Sequence, residues 1–453
     1  MSNWFERLLD TVADHGRDLL GLLSDEQQHT DERLCQELIK GQGEATNIAL
    51  ARELLQRWSS KDETQKLVFL QMLSSTFDPD PEAVMQAAQA YSADDYESLQ
   101  KLIEVAEPPR QELLRRLNMA PGGTAVLVDM RSFLLTHVRQ HLSLKKLDAD
   151  FQHLLASWFN YGFLQLARID WNTSATILEK LIQFEAVHPM KGWEDLRRRL
   201  AEDRRCFAFF HPALPQQPLI FVEVALTREI SDSIATLIDP DAPVENPAEA
   251  NSAIFYSINN ALTGLRGVSF GNFLIKQVAN ELHKEFPQLK NFVTLSPIPG
   301  LRGYLESRSE EDLQILLGEQ AGALKSMANT DKISSALDEL ISRESGDQSH
   351  DLLQGCLQRL ALCYLAGVKR QRHAYDPVAH FHLSNGARLE RINTFANMSA
   401  YGLHQSYGCM VNYRYDNASI VANHEAYVNQ AAISLSKELE KQLKSADLAE
   451  TIA

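Results

Sequence analysis

The sequence predicts an α+β protein, with an all-helical first part followed by a domain in which strands and helices mix. Three observations predict it. Apolar residues recur at helical spacing through the first third of the chain, interrupted by Pro and Gly. Short β-rich runs begin only after Trp158. The length, 453 residues, exceeds what one hydrophobic core usually holds. The expected division is a helical domain over residues 1–155, serving packing or oligomerisation, and a mixed domain over 156–453.

The helical part carries Leu54 and Leu55, then Leu67, Leu70, Met72 and Leu73, at spacings that stack on helix faces. Breaks fall at Asp78-Pro79-Asp80-Pro81, at Pro108-Pro109 and at Pro121-Gly122-Gly123. No cluster of catalytic residue types occurs there.

The β-rich runs Arg205–Phe210 and Leu219–Leu226 flank the turn-rich His211–Pro218 and read as a hairpin. Asp239–Ala250, rich in Pro, Asp and Glu, reads as a surface loop. A strand over Ala253–Ile258 leads through a glycine-containing turn into a helix where Leu274, Val278 and Leu282 share a face. A strand over Asn291–Leu295 stops at Pro297-Ile298-Pro299-Gly300. A helical segment over 351–368, a loop at Asp376-Pro377, a polar stretch over 380–397 and a last helix with Leu435, Leu439 and Leu443 complete the chain.

Composition narrows the function classes. Lys plus Arg is 44 and Asp plus Glu is 60, a net charge of −16. Such a surface argues against nucleic acid as a partner, yet leaves room for a local basic pocket. The five cysteines, Cys35, Cys206, Cys356, Cys363 and Cys409, are odd in number and form no CxxC pair, which fits reduced thiols. No apolar run reaches the ~18 residues that span a bilayer. Met1–Asp10 lacks the pattern of a secretory signal, and Glu450–Ala453 is not a Ser-Lys-Leu type address. The cytoplasm is the expected location.

Three constellations could carry chemistry. Gly264-Leu265-Arg266-Gly267-Val268-Ser269-Phe270-Gly271-Asn272 lies between a strand and a helix. Glycines let backbone approach an anion, the helix start offers N–H groups, and Arg266 and Lys276 add charge. Its spacing is neither a Walker A loop nor a Rossmann fingerprint, so taken alone it reads first as a plain strand-to-helix turn. Ser296 stands at the carboxyl end of a strand, where open α/β sheets place ligands. In Asp376–Ala387, His380 and His382 would share a face if extended, a geometry that could hold a metal, but no further ligands at fixed spacing complete a site. A single neutral-range histidine is the better functional reading. Ser296, Asp376 and His382 also follow the chain order of a hydrolase triad, without the GxSxG elbow.

At these residues the chain resembles the malonyl-CoA decarboxylase family. The matching stretches are Phe184–Pro189, Phe255–Ile258, Gly271–Lys276, Glu285–Pro287, Leu295–Gly300, Asp376–Ala379 with Phe381–Leu383, Asn385–Ala387, Ser406–Gly408 and Met410–Tyr415. The resemblance covers most of residues 155–416 and, more loosely, the helical part. It implies a GNAT-type acetyltransferase-like fold for the second domain, whose glycine turn and helix start bind the CoA pyrophosphate. That maps onto Arg266, Gly267, Val268, Ser269, Phe270, Gly271 and Asn272. It implies Ser296 and His382 as the catalytic pair; Ser257, Asn412 and Tyr413, within the matching stretches, are further candidate pocket residues. Animal members carry an acidic residue at the position of Ser269, so a role for that carboxylate does not carry over.

The implied activity is decarboxylation of malonyl-CoA to acetyl-CoA and carbon dioxide, with no metal and no organic cofactor, CoA being part of the substrate. The implied partner is malonyl-CoA; the long helical part adds further copies of the chain, as a dimer or tetramer, and charge and hydropathy point to no nucleic acid and no membrane. Competing expectations are a serine-dependent acyl-CoA thioesterase, an acyltransferase using an amine acceptor, and a non-catalytic CoA-binding protein.

Overall fold

A computed structural model of the protein describes residues 30–41, 43–268, 274–343 and 347–445. The chain divides into two compact units. One comprises the residues up to Gln165 together with Phe210–Leu219 and the described part of Leu262–Gly271; the other comprises the rest.

The first unit is helical: α1 (Asp31–Lys40), α2 (Glu44–Ser60), α3 (Glu63–Thr76), α4 (Pro81–Ala90), α5 (Tyr96–Ala106), α6 (Pro109–Asn118), α7 (Gly123–His137) and α8 (Lys145–Trp158). Its boundaries follow local chemistry. Asp62 and Gln65 form a capping box on α3, and Asp80 caps α4 with Pro81 at the first helical position. Pro109 opens α6. Gly122, at φ +70, precedes α7, and a Cβ on Gly123 would stand 2.2 Å from the Leu117 carbonyl. Trp58, Leu70, Leu73, Leu113 and Leu134 bury the inner faces. Charged pairs stitch the helices: buried Arg110 reaches Asp150 at 2.5 Å, and buried Arg131 reaches Asp148 at 2.8 Å.

The remaining elements are β1 (Gln165–Ile169), α9 (Ala175–Phe184), α10 (Trp193–Arg199), β2 (Arg204–Phe210), β3 (Ile220–Thr227), α11 (Ala235–Ile238), β4 (Ser252–Asn260), α12 (Leu274–Glu285), β5 (Asn291–Thr294), β6 (Ser296–Pro297), α13 (Leu301–Glu306), α14 (Glu310–Leu317), α15 (Gln320–Ala328), α16 (Ile333–Ser342), α17 (Asp347–Gly367), β7 (Lys369–Arg370), β8 (His373–Ala374), α18 (Pro377–Ser384), β9 (Arg388–Asn393), α19 (Ala400–Ser406), β10 (Met410–Tyr415), α20 (Ile420–Gln430) and α21 (Lys437–Ser445). Among the described residues the main sheet runs β1-β2-β3-β4-β5-β10-β6, with β9 pairing β10. The predicted hairpin is β2–β3, antiparallel from Arg204↔Ala225 to Phe209↔Ile220.

β4 and β5 are parallel, in register from Ser252↔Asn291 to Phe255↔Thr294, and α12 is the crossover that a parallel pair needs. Leu274, Val278 and Leu282 of α12 are buried, as their spacing predicts. One face of the sheet packs Ile254, Tyr256, Val293, Leu295 and Met410 into a single apolar cluster with Leu237. Alternation therefore turns Thr294 and Ser296 toward the opposite face. The fold is α+β, helical first and mixed second, as the sequence predicts.

Candidate active site

The site gathers on that opposite face. Past Thr294 the backbone continues through Leu295 into the two-residue β6, which pairs antiparallel with β10: Val411 faces Ser296 and Met410 faces Pro297. Pairing on β10 and the following Ile298-Pro299-Gly300 fix where Ser296 points. Its side chain is 6% exposed.

His382 arrives on α18. Asp376 caps this helix by accepting from the backbone N–H groups of Val378 and Ala379, both at 2.9 Å, and Pro377 takes the first helical position. At the other end Asn385 and Gly386 stop it. Gly386 sits at φ +82, and a Cβ there would stand 2.0 Å from the Ile420 carbonyl. The polar stretch is thus a short helix followed by β9. Side chains two apart on a helix diverge by about 200°, so the extended pairing of His380 and His382 does not occur. His380 turns to Tyr427, with Nδ1 2.8 Å from that hydroxyl, while His382 turns to Ser296.

The imidazole of His382 is 2% exposed and held on three sides. Its Nε2 lies 3.0 Å from Ser296 Oγ. Its Nδ1 lies 2.8 Å from the Tyr415 hydroxyl. Tyr413 stacks on the ring face, centroids 4.6 Å apart at 25°. Ser296 donates to Thr294 Oγ1 at 2.9 Å, and that oxygen also accepts from the Tyr413 backbone N–H at 3.1 Å. A serine hydroxyl has one proton. With that proton on Thr294, Nε2–H is the donor to Ser296, and Tyr415 donates to Nδ1. The result is a line of neutral groups in which Tyr415, His382 and Ser296 each donate to the next and Thr294 accepts.

Burial sets the electrostatics. It pushes the His382 pKa from 6.5 down to about 3, so the ring is neutral at pH 7. Burial likewise pushes the phenols of Tyr413 and Tyr415 well above their usual value. Among the described residues no carboxylate hydrogen-bonds the imidazole. Asp376 spends its Oδ1 on the helix start, and Tyr364 lies 3.4 Å from its Oδ2. The triad suggested by chain order is therefore not assembled.

The other predicted residues fall in varied places. Tyr413 is at the centre, fully buried, and its hydroxyl finds no hydrogen-bond partner among the described residues. Asn412 points to the other side of β10. It donates to the carbonyls of Thr294 and Ser231 and accepts from Arg391 and Asn393, which makes it a cross-strand pin. Ser257 donates to the buried Glu185 at 2.7 Å and accepts from Asn259 at 2.6 Å. Glu185 also accepts from the N–H groups of Val187 and His188, so the Phe184–Pro189 stretch is tied to β4.

Arg266, Gly267 and Val268 lie in the turn after β4, with Gly267 at φ +79. Ser269, Phe270, Gly271 and Asn272 lie outside the described residues. Two members of the line, Tyr415 and Thr294, have no role in the sequence reading. Their signals were present: each stands two residues from a predicted site residue on a strand and so shares its face.

Comparison with known proteins gives a consistent result. Residues 162–452 match the family profile described as "Malonyl-CoA decarboxylase C-terminal domain", and residues 77–159 match "Malonyl-CoA decarboxylase N-terminal domain". The mitochondrial malonyl-CoA decarboxylase of Anser anser anser is 37% identical over 346 residues, 73% of this chain and 69% of the relative. That of Rattus norvegicus is 36% identical over 347 residues, 73% of this chain and 70% of the relative. The crystal structure of malonyl-CoA decarboxylase from Rhodopseudomonas palustris shares 44% identity at a TM-score of 0.81, covering 90% of this chain and 98% of that one. The Agrobacterium vitis enzyme shares 43% at 0.80, covering 91% and 98%.

Proposed function

The chain belongs to the malonyl-CoA decarboxylase family, and we propose that Ser296 and His382 are the pair with which it converts malonyl-CoA to acetyl-CoA and carbon dioxide. The observation that carries this reading is the buried contact of 3.0 Å between Ser296 Oγ and His382 Nε2, backed by Tyr415 in place of a carboxylate.

In the reaction the bond between the α-carbon and the carboxylate carbon breaks. Its electron pair moves into the thioester carbonyl, giving an enolate, and carbon dioxide departs. A proton, ultimately from water, then bonds to the α-carbon as the carbonyl reforms. The thioester carbonyl is the electron sink, so the scheme calls on no metal and no organic cofactor. What the protein must supply is a set of fixed donors for the developing oxyanion and a dry pocket that favours neutral carbon dioxide over a carboxylate. The neutral donor line fits that need. A low imidazole pKa and high phenol pKa values oppose ion formation, so His382 acts as a neutral N–H donor to Ser296, whose own proton turns from Thr294 to the substrate. Ser296 orients the malonyl carboxylate out of the carbonyl plane.

A serine thioesterase would need His382 to accept the Ser296 proton and carry positive charge. A carboxylate on Nδ1 normally supports that state, and a phenol does not. We assign the CoA phosphates to Arg266, Gly267 and Val268. We further propose a homo-oligomer built through the helical unit, where α4 and α5 leave Met85, Tyr96 and Ile103 more than half exposed. The free, buried cysteines support a reducing compartment such as the cytoplasm. No described helix is long and apolar enough to cross a membrane.

Ser296→Ala and His382→Asn should each lower kcat roughly 10²- to 10³-fold, the usual effect of losing one such donor, with thermal unfolding and CoA affinity retained. Full activity in both variants would overturn the assignment.

A further inference from the structure

We infer that Arg131 of α7, with Asp148 and Gln152 of α8, is a clamp that positions the turn assigned to the CoA phosphates. The inference rests on the assignment of that turn to the CoA phosphates.

The clamp is built from acceptors on the turn and donors on the helices. Arg131 Nη1 donates to the carbonyls of Gly264 and Arg266, both at 2.8 Å. Its Nε donates to Asp148 Oδ1 at 2.8 Å. Gln152, one helical turn after Asp148, donates from Nε2 to the Gly267 carbonyl at 2.8 Å. Three carbonyls within four residues are thus drawn to one side. Arg131 is 2% exposed and already paired with Asp148, so it is not itself a phosphate ligand. Its planar fork serves a carboxylate and two carbonyls at once, which a lysine ammonium on a flexible stem would not reproduce.

The turn also presses on α7. A Cβ on Gly264 would stand 2.0 Å from the Val128 carbonyl and 2.9 Å from Ser132 Oγ, so only glycine permits this approach. Leu265 is fully buried beside it. In a trans peptide the C=O and N–H point in opposite directions. Drawing the Arg266 carbonyl onto Arg131 therefore aims the Gly267 N–H away from the helices. With Gly267 at φ +79 and no Cβ, that amide is placed as an anion donor. Losing the clamp leaves the chemistry at Ser296 and His382 intact but lets the turn relax.

The test compares two substrates, malonyl-CoA and malonyl-pantetheine, the second lacking the nucleotide and its phosphates. Arg131→Gln should raise the KM for malonyl-CoA roughly 10- to 100-fold, the cost of a displacement of about 1 Å in a binding element. Its kcat, and its kcat/KM for malonyl-pantetheine, should stay at the wild-type values. Gln152→Leu, at an exposed helix position, should shift the KM in the same direction by less and keeps the test open if Arg131→Gln fails to fold. Equal losses on both substrates would mean that Arg131 only stabilises the fold, and an unchanged KM in both variants would overturn the clamp. A wild-type protein that does not favour malonyl-CoA over malonyl-pantetheine would instead overturn the phosphate assignment of the turn, leaving the decarboxylase reading untouched.

Discussion

Burial keeps the His382 ring neutral down to a pH of about 3, far below the ordinary 6.5. The unfolded chain protonates this histidine near 6.5, so between about 3 and 6.5 the unfolded state binds the extra proton, and stability rises with pH across that window. The difference in unfolding free energy between wild type and His382→Gln should therefore grow as pH rises from 4 to 6.5 and stay flat above it. Chemical denaturation at several pH values measures it; a difference that stays flat up to about pH 6 and falls above it would show a charged imidazole in the folded state. Ser296 and His382 enter the sequence reading through the family resemblance of their stretches, since a serine at a strand end and a lone histidine are by themselves weak signals. Tyr415 carries only an indirect signal, its place two residues from Tyr413; its contact with His382 spans 33 positions, and no local pattern says which aromatic meets the ring. The expected sharing of a face by His380 and His382 failed because an extended backbone was assumed where a helix forms.

That helix shows what was readable among the elements. Asp376-Pro377 is a helix-start signature, a cap followed by the residue that needs no N–H. By composition alone it reads only as a loop beside a polar stretch. The same residue separates two accounts of the site. As a cap, Asp376 is replaceable by Asn, another good cap, whereas Ala should cost about 0.5–2 kcal/mol of stability. Asp376→Asn should thus keep kcat near wild type. In a Ser–His–Asp triad the same exchange costs about 10⁴-fold, and a loss of that size would contradict the observed geometry. Strands β2 to β5 and helix α12 were legible because each carries a strong period between turn residues. β10 was not picked out as a strand. Its residues Met410–Tyr415 were noted only for their family likeness, although this strand carries Tyr413 and Tyr415 and pairs with the Ser296 segment.

For the whole molecule, the order helical first and mixed second was written in the Pro and Gly breaks and in the late onset of β-rich runs. The composition of the helical unit was not. Leu262–Val268 sits between a strand and a helix of the other unit in sequence, yet its carbonyls are held by Arg131 and Gln152, more than a hundred positions earlier. Such long-range pairing leaves no trace in spacing or periodicity. The acidic balance of the chain is compatible with an anionic substrate if, as proposed, the phosphates meet the Gly267 N–H and the Arg266 side chain.

The most direct test of the central claim is to incubate the purified full-length protein with malonyl-CoA and a chelator, without any acyl acceptor, and to resolve the thioesters by mass spectrometry. A decarboxylase gives acetyl-CoA as the sole new thioester, with carbon dioxide in equal amount and no free CoA. Free CoA, or malonyl-CoA left unchanged, would contradict it.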